Sequence, residues 1–221
     1  MLNTDFSRRV VLDTPSLPWC ETSAPGVQRR MIEDAGGEDA RMTSLLRFEP
    51  GARQPACRQA FGEEILVLEG AFSDSDGDYP PGTYRKHPPG ALSVVFSPGG
   101  CTLLVKSGHL DPLDSGRSLV DTRQAQWFAG MVAGLTVLPL SEFGGQHTAL
   151  VRWAPETFFN PHRHYGGEEI YVIEGVFEDE HGRYPTGTWL RSPHLSQHQP
   201  FSREGCLILV KVGHLPETGA R

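Results

Sequence analysis

Short apolar runs, each bounded by turn-forming residues, recur along the whole chain. In the second half they lie at residues 148–153, 169–174, 187–191 and 206–211, and they are rich in β-branched or aromatic residues. Runs of this length and composition, separated by Gly, Pro or Asn, are typical of β-strands. The pattern predicts short strands joined by turns, with a single helix over residues 121–132.

The sequence contains this pattern twice, as an internal repeat. Residues 43–110 align without a gap to residues 148–215 at an offset of 105, and 30 of the 68 aligned positions are identical. Upstream the match continues at an offset of 108, where Asp13, Thr14 and Trp19 correspond to Asp121, Thr122 and Trp127. Two copies with so long a period indicate a duplicated globular domain rather than a solenoid. We therefore predict two homologous domains, residues 1–114 and 115–221, each an all-β sandwich or barrel.

Composition and charge narrow the range of partners. The 25 Gly and 18 Pro residues supply the predicted turns. A net charge of -7 leaves no basic field to hold a phosphate backbone, so nucleic acid is excluded as a main partner. The amino-terminal residues lack the apolar stretch of a signal peptide, and no apolar run approaches the roughly 20 residues that span a bilayer. We expect a cytoplasmic protein without a membrane partner.

The two copies differ most where chemically distinctive residues occur in only one of them. The second copy contains His162, His164, Glu168 and His198. His162 and His164 are two residues apart, so their side chains leave the same face of an extended strand. Glu168 follows a short Gly166–Gly167 turn, and an antiparallel barrel could return His198 to the same place. The alternative is that these histidines lie in loops or on the surface.

Three imidazoles and one carboxylate form a donor set for one divalent transition metal ion. This set suits Zn, Fe, Ni, Mn or Cu, and it leaves two octahedral positions open for water, a small molecule or dioxygen. The first copy has Cys57, Gln59, Glu63 and Ser93 at the equivalent positions, and only Glu63 is retained. We predict that the first domain is a structural or ligand-binding barrel without a metal ion.

Several other residues recur in both copies and are interpreted as structural. Cys101 and Cys206 occupy one repeat position at the start of an apolar run and are expected to be buried. The four cysteines are widely spaced, which argues against a disulfide framework and a Cys-rich zinc finger. Structural roles are also expected for Lys106, Lys211, His109 and His214, and a surface position is favoured for His194 over a place as a spare ligand.

The sequence resembles the cupins. His162-x-His164-x3-Glu168-x6-Gly175 is similar to the first cupin motif, and Gly187-x5-Pro193 followed by His198 is similar to a relaxed second motif. The resemblance covers both copies and implies a bicupin, with two tandem double-stranded β-helix (jelly-roll) barrels. It also implies that His162, His164, Glu168 and His198 are the metal ligands.

Among cupins, the segment from Gly166 to Thr188 resembles the cupin-like domain of the ChrR family. That domain forms part of anti-sigma factors, binds zinc and responds to stress such as singlet oxygen. It is also similar to acetylacetone-cleaving dioxygenases, which use non-heme iron. The anti-sigma members bind the sigma factor through a separate helical domain with a His-x3-Cys-x2-Cys motif, and this sequence contains no such motif. A sigma factor is therefore not expected as a partner by that route.

The residues and the resemblance are compatible with three functions. The first is a sensory or regulatory bicupin in which a small ligand or an oxidant acts on a zinc-type centre. The second is a non-heme metal-dependent dioxygenase for a small diketone-like or dihydroxy substrate. The third is a scaffold that pairs through exposed sheet edges, and it accompanies the expectation of a homodimer. No catalytic residue is assigned, because no nucleophile with its base is visible in the sequence.

Overall fold

The computed structural model describes residues 1–37 and 40–216, which form β-strands, turns and one short 3-10 helix (Thr14–Ser16). The all-β prediction is confirmed. The strands in chain order are β1 (Val10–Asp13), β2 (Cys20–Glu21), β3 (Val27–Asp34), β4 (Met42–Phe48), β5 (Arg53–Gln59), β6 (Glu63–Gly70), β7 (Phe72–Ser73), β8 (Asp78–Tyr79), β9 (Thr83–His87), β10 (Ala91–Phe96), β11 (Cys101–Ser107), β12 (Ser118–Asp121), β13 (Phe128–Ala129), β14 (Leu135–Phe143), β15 (Gln146–Trp153), β16 (Thr157–Phe158), β17 (His162–Arg163), β18 (Glu168–Asp179), β19 (Gly182–Pro185), β20 (Thr188–Ser192), β21 (Gln197–His198), β22 (Phe201–Ser202) and β23 (Cys206–Val212).

The chain folds into two compact units. The N-terminal unit contains Met1–Thr4 and Leu17–Gln124, and the C-terminal unit contains Asp5–Ser16 and the chain from Ala125 onward. The C-terminal unit therefore includes β1, which pairs with β20, whereas β12 belongs to the N-terminal unit and pairs with β9. β1 thus lies before the predicted boundary between residues 114 and 115 but belongs to the C-terminal unit. β12 lies after that boundary but belongs to the N-terminal unit.

The N-terminal unit has two antiparallel sheets around an apolar core. The larger sheet has the strand order β12-β9-β6-β11-β4-β3-β2, and the smaller has the order β5-β10-β7-β8. The core between them includes Ile65, Val67, Phe72 and Leu103, all of which are at least 98 % buried. Alternation along the strands directs these side chains to one face, as the apolar runs predict.

The C-terminal unit repeats this design. Its main sheet has the order β1-β20-β18-β23-β15-β14-β13, and the far end of the long strand β18 continues into pairs with β19 and β22. The short strands β17 and β21 pair with each other. Ile170, Val172, Phe177 and Trp153 form the centre of the core.

A threonine fixes the end of each edge strand. Thr14 donates hydrogen bonds from its backbone N (3.1 Å) and Oγ1 (2.6 Å) to the carbonyl oxygen of Gly187. Thr122 makes the same two bonds to the carbonyl oxygen of Gly82, at 3.1 and 2.6 Å. These bonds explain why a threonine occurs at this position in both copies.

The predicted helix over residues 121–132 is wrong. β12 ends at Asp121, whose carboxylate accepts a hydrogen bond from the Arg123 backbone N at 3.1 Å. This side-chain bond stabilises a turn that competes with a helix. The chain then enters β13 and turns at Gly130, whose N donates to the carbonyl oxygen of Leu135 at 2.8 Å. No helix in the described part of the chain is long and apolar enough to cross a membrane.

His87 in the N-terminal unit gives a test of this packing. The residue is buried at the end of β9, and its Nδ1 has no hydrogen-bond partner. Burial lowers its pKa to about 4, assisted by the charges of Arg85 and Arg117 and opposed by those of Asp74 and Asp76. The unfolded chain, with a His pKa near 6.5, therefore binds more protons than the folded unit between pH 4 and 6.5.

We expect the contribution of neutral His87 to the free energy of unfolding of the N-terminal unit to be fully present above pH 6.5. This contribution should be lost as the pH falls towards 4. The contribution of His87 to this loss is at most about 3 kcal/mol. His87→Ser introduces the residue found at the equivalent position 192 and should remove this contribution. Denaturant unfolding of both proteins at pH 7.5 and 4.5 measures the difference. An equal loss of stability in the two proteins would contradict the assignment to His87.

Candidate metal centre

Two of the candidate ligands face each other across a pair of short strands. His162 on β17 lies directly opposite His198 on β21 in the antiparallel register. Side chains at such paired positions leave the same face of the sheet, so the two imidazoles converge. The antiparallel return of the chain, which the sequence could only suggest, is thus the reason that residues 36 positions apart meet.

A glycine turn brings the other two candidates to the same point. His164 follows β17, and its backbone N donates to the carbonyl oxygen of Ser196 at 3.0 Å. Gly166 and Gly167 then adopt φ values of +69° and +66°, a conformation that L side chains rarely adopt. A Cβ on Gly167 would also lie 2.4 Å from Leu215 Cδ1. The turn places Glu168 at the first position of β18, beside the histidines.

The four side chains form one compact donor set. His162, His164, Glu168 and His198 each offer a ligand atom, and these atoms all lie within 4.8 Å of one another. The Nε2 atoms of His164 and His198 are 3.0 Å apart, and Glu168 Oε2 lies 3.5 and 3.6 Å from them. Neighbouring ligands of an octahedral ion with bonds of about 2.1 Å stand about 3.0 Å apart. The set therefore fits a single transition metal ion after small adjustments.

Hydrogen bonding and burial prepare the imidazoles as ligands. His162 Nδ1 donates to the carbonyl oxygen of Asn160 at 3.0 Å, which leaves Nε2 with its lone pair towards the site. Burial lowers the pKa of His164 to about 3, assisted by the neighbouring imidazoles, and burial also lowers the pKa of His162. Both rings are therefore neutral near pH 7, as metal binding requires.

The remaining two groups carry the charge of the site. Burial raises the pKa of Glu168 to about 7, because its carboxylate is removed from water. Burial acts to lower the pKa of His198, but the carboxylates of Asp179 and Glu168 outweigh it and raise this pKa. The site thus contains a buried acid that is stabilised by positive charge, either on His198 or on a bound cation.

Three residues that lie behind His198 were not predicted from the sequence. Asp179 Oδ2 lies 3.6 Å from His198 Nδ1 and accepts a hydrogen bond from Arg9 at 2.9 Å. Tyr184 donates to Asp179 Oδ1 at 2.7 Å and accepts from Arg9 at 2.6 Å. These contacts orient His198 with Nε2 towards the other ligands. The comparison of the two copies could not reveal them, because all three residues recur as Asp74, Tyr79 and Arg117.

An open cavity reaches the site from outside. It has a volume of about 350 Å³ and is lined by six residues, namely Pro161, His162, Arg163, Glu180, Gln197 and His198. His162 is partly exposed, whereas His164, Glu168 and His198 are buried. Phe159 packs edge-on against His162, with ring centroids 5.1 Å apart. A small molecule in the cavity would meet the exposed side of the donor set.

His194 lies outside the donor set. Its Nδ1 accepts a hydrogen bond from the Gly166 backbone N at 2.9 Å, so it supports the glycine turn. His109 and His214, the pair expected to be structural, lie 2.6 and 3.0 Å from the carboxylates of Glu64 and Glu169.

The repeated lysines and cysteines are also in structural positions. Lys106 and Lys211 donate to Thr43 and Thr148 at 2.9 and 3.0 Å. Cys101 and Cys206 are buried, and burial raises the pKa of Cys206 to about 12.

In the N-terminal unit, only part of the equivalent constellation can be compared. Glu63 is buried at the start of β6, as Glu168 is at the start of β18. The backbones of Cys57 and Ser93 face each other in the register of β5 and β10, as those of His162 and His198 do in β17 and β21. The side chains of Cys57 and Ser93 lie outside the described part of the structure. Gln59 is described and is partly exposed.

The fold and the donor set define the class of protein, a bicupin with a candidate metal centre in one of its two jelly-roll units. Solved structures with this fold include a provisionally assigned dioxygenase from Nostoc punctiforme (TM-score 0.76, 15% identity, 96% of this chain and 85% of that chain). Another is a provisionally assigned glyoxylate-induced protein from Pseudomonas aeruginosa (TM-score 0.76, 13% identity, 100% of this chain and 94% of that chain). A third is an oxalate decarboxylase from Lactobacillus farciminis in complex with formate (TM-score 0.68, 12% identity, 93% of this chain and 86% of that chain). At these identities the likeness concerns the fold alone.

The family model for the ChrR cupin-like domain matches the chain twice, over residues 7–111 and 115–216. The chain therefore belongs to the ChrR cupin-like domain family, and the predictions of family and tandem cupin fold are confirmed. No curated protein matches the sequence.

Removal of a candidate ligand should remove the metal ion. We expect His164→Ala and His198→Ala to lower the affinity for a divalent ion by more than about 100-fold, because each deletes a buried donor. His147→Ala, which changes an exposed histidine on β15 of the same unit, is the matched control and should bind as the wild type does. Elemental analysis and competition with a chromophoric chelator measure the effect. Full metal content in both ligand variants would contradict the site.

The support for His198 can be tested separately. Asp179→Asn and Arg9→Leu should each weaken metal binding by about 10- to 100-fold, because outer partners fix the orientation and basicity of a ligating histidine. Arg8→Leu, which removes the neighbouring arginine, should leave the affinity unchanged. Competition titrations at pH 7.5 compare the variants, and thermal unfolding of the metal-free proteins records any general loss of stability. Unchanged affinity in both positioning variants would exclude this role.

Proposed function

We propose that the C-terminal unit holds one divalent transition metal ion on His162, His164, Glu168 and His198, and that the protein is a non-heme metal-dependent dioxygenase. The substrate would be a small compound with two adjacent or β-related oxygen donors, such as a diketone or a dihydroxy compound. The observation that carries the proposal is the 350 Å³ cavity, which reaches two members of the donor set from outside. A purely structural metal site would be closed on all sides.

The residues around the cavity have distinct tasks in this proposal. A bound ion such as Fe(II) would supply a redox-active centre with coordination positions open to oxygen donors. Arg163, Glu180 and Gln197 line the cavity and provide polar contacts that orient a small oxygen-rich molecule. Phe177, whose ring centroid lies 6.3 Å from that of His198, packs against this ligand on the core side. Asp179 holds His198 in the orientation required of a ligand.

Fe is the preferred ion for this proposal, because dioxygen chemistry requires a redox-active metal. Zn fits the same four donors, since three imidazoles and one carboxylate accept most first-row divalent ions. Ni and Mn are the alternatives for the same reason. The assignment of the ion thus depends on its chemistry rather than on the donor set.

Membership of the ChrR cupin-like domain family favours a second function, a sensory or regulatory role. In that case Zn would occupy the site, and a small ligand or oxidant would change the surface near the cavity. Sigma-factor binding by the family's anti-sigma route would need a His-x3-Cys-x2-Cys motif that the printed sequence does not contain.

The two functions differ in turnover. Metal-free protein would be reconstituted with Fe(II) without oxygen, mixed with a panel of diketones and dihydroxy compounds, and exposed to oxygen while its uptake is recorded. We expect uptake above that of free Fe(II), and its loss in His198→Ala, with His147→Ala as the active control. Stoichiometric metal with no uptake on any compound would contradict the dioxygenase and favour the sensory role.

A further inference from the structure

The N-terminal unit has a buried cation where the C-terminal unit has an apolar side chain. Arg85 on β9 is 3 % exposed, and the residue at its repeat position is Leu190 on β20. The registers agree, because Arg85 lies opposite Ile65 of β6 as Leu190 lies opposite Ile170 of β18. The two side chains therefore occupy the same place in the two copies of the fold.

The guanidinium of Arg85 joins two carboxylates. Its Nη2 lies 3.5 Å from Glu63 Oε1, and its Nη1 donates to Asp74 Oδ2. The carboxylates are 9 and 6 % exposed, so all three charges are removed from water. A planar, weakly hydrated guanidinium is well suited to bridge two buried carboxylates.

The same two carboxylate positions have a different partner in the C-terminal unit. Glu63 corresponds to Glu168 and Asp74 to Asp179, and both of those face His198 at 3.6 Å. Ser93 stands at the position of His198 in the N-terminal unit. The unit that lacks the histidine thus has the arginine, and in each unit a cationic or metal-binding group lies between the carboxylates.

Two aromatic rings also contact the guanidinium of Arg85. The Arg85 Cζ lies 4.7 Å from the ring centroid of Phe72 and 5.5 Å from that of Tyr79. Both rings belong to the apolar core, and their faces attract a cation. A divalent ion at this place would experience repulsion from the guanidinium at short range and would find its only retained donor, Glu63, already paired.

We propose that the Arg85 guanidinium is the positive partner of Glu63 and Asp74 in the N-terminal unit. It takes the place of a metal ion and its histidine ligand, and it excludes metal from that unit. The comparison with the C-terminal unit rests on the proposed metal centre there. The charge pairing of Arg85 itself does not depend on it.

A graft of the missing ligands tests the exclusion. Cys57→His, Gln59→His and Ser93→His together place histidines at the three positions equivalent to His162, His164 and His198, on a backbone with the matching register. The graft is made once with Arg85 retained and once with Arg85→Leu, the residue of the other copy. Each full-length protein is loaded with Co(II), freed of excess ion and analysed for metal per chain against the parent.

We expect no additional ion in the graft that retains Arg85 and one additional ion per chain in the graft with Arg85→Leu. An additional ion with Arg85 present, or none after its removal, would overturn the proposal. Because the result is a difference from the parent, a parent without metal would refute the C-terminal centre and leave this test intact.

A stability measurement covers the case in which a graft does not fold. Arg85→Leu alone should lower the thermal midpoint of the N-terminal unit by about 5 to 15 °C, because it leaves two buried carboxylates without their cation. The added substitutions Glu63→Gln and Asp74→Asn should recover at least half of this shift. If neutral side chains give no recovery, the guanidinium does not balance these carboxylates and the proposal fails.

Discussion

A buried carboxylate that needs a positive partner is the constraint on which both units depend. Glu63 opens β6 and Glu168 opens β18, and each is more than 90 % buried. Burial of an isolated carboxylate is costly, so the fold must supply a cation or protonate the group. The N-terminal unit uses Arg85, and the C-terminal unit uses a protonated His198 or, in its place, the proposed metal ion. The two copies of the fold thus bury an equivalent carboxylate and differ in the positive group that compensates its charge.

The backbone prepares the site before any ion is bound. The register of β17 and β21 places His162 opposite His198, and the Gly166–Gly167 turn delivers Glu168 to the same point. Asp179 and Arg9 then fix the orientation of His198 from behind. Because Arg9 precedes β1, a residue from the first ten positions supports a centre whose candidate ligands lie more than 150 positions later. The segment that leads into β1 is therefore part of the site as well as of the fold.

The sequence predicts the parts of this design that depend on local pattern or on a difference between the copies. The strands follow from short apolar runs, and His162, His164 and His198 stand out because the first copy lacks them. Asp179, Tyr184 and Arg9 escape the same comparison, because their equivalents recur in both copies. Arg85 does differ between the copies, where Leu190 is its equivalent, but a charged residue in an apolar strand shows its partners only when distant strands are assembled. The helix expected over residues 121–132 fails because the Asp121 side chain stabilises a turn instead.

The most direct measurement for the central claim is anomalous diffraction at the metal edge from crystals of the metal-loaded protein. Bound ions are located without reference to activity, and both units are seen in one experiment. We predict one ion per chain, ligated by His162, His164, Glu168 and His198, and no ion beside Arg85. An ion between Glu63 and Asp74, or none at the C-terminal donor set of a loaded crystal, would contradict it.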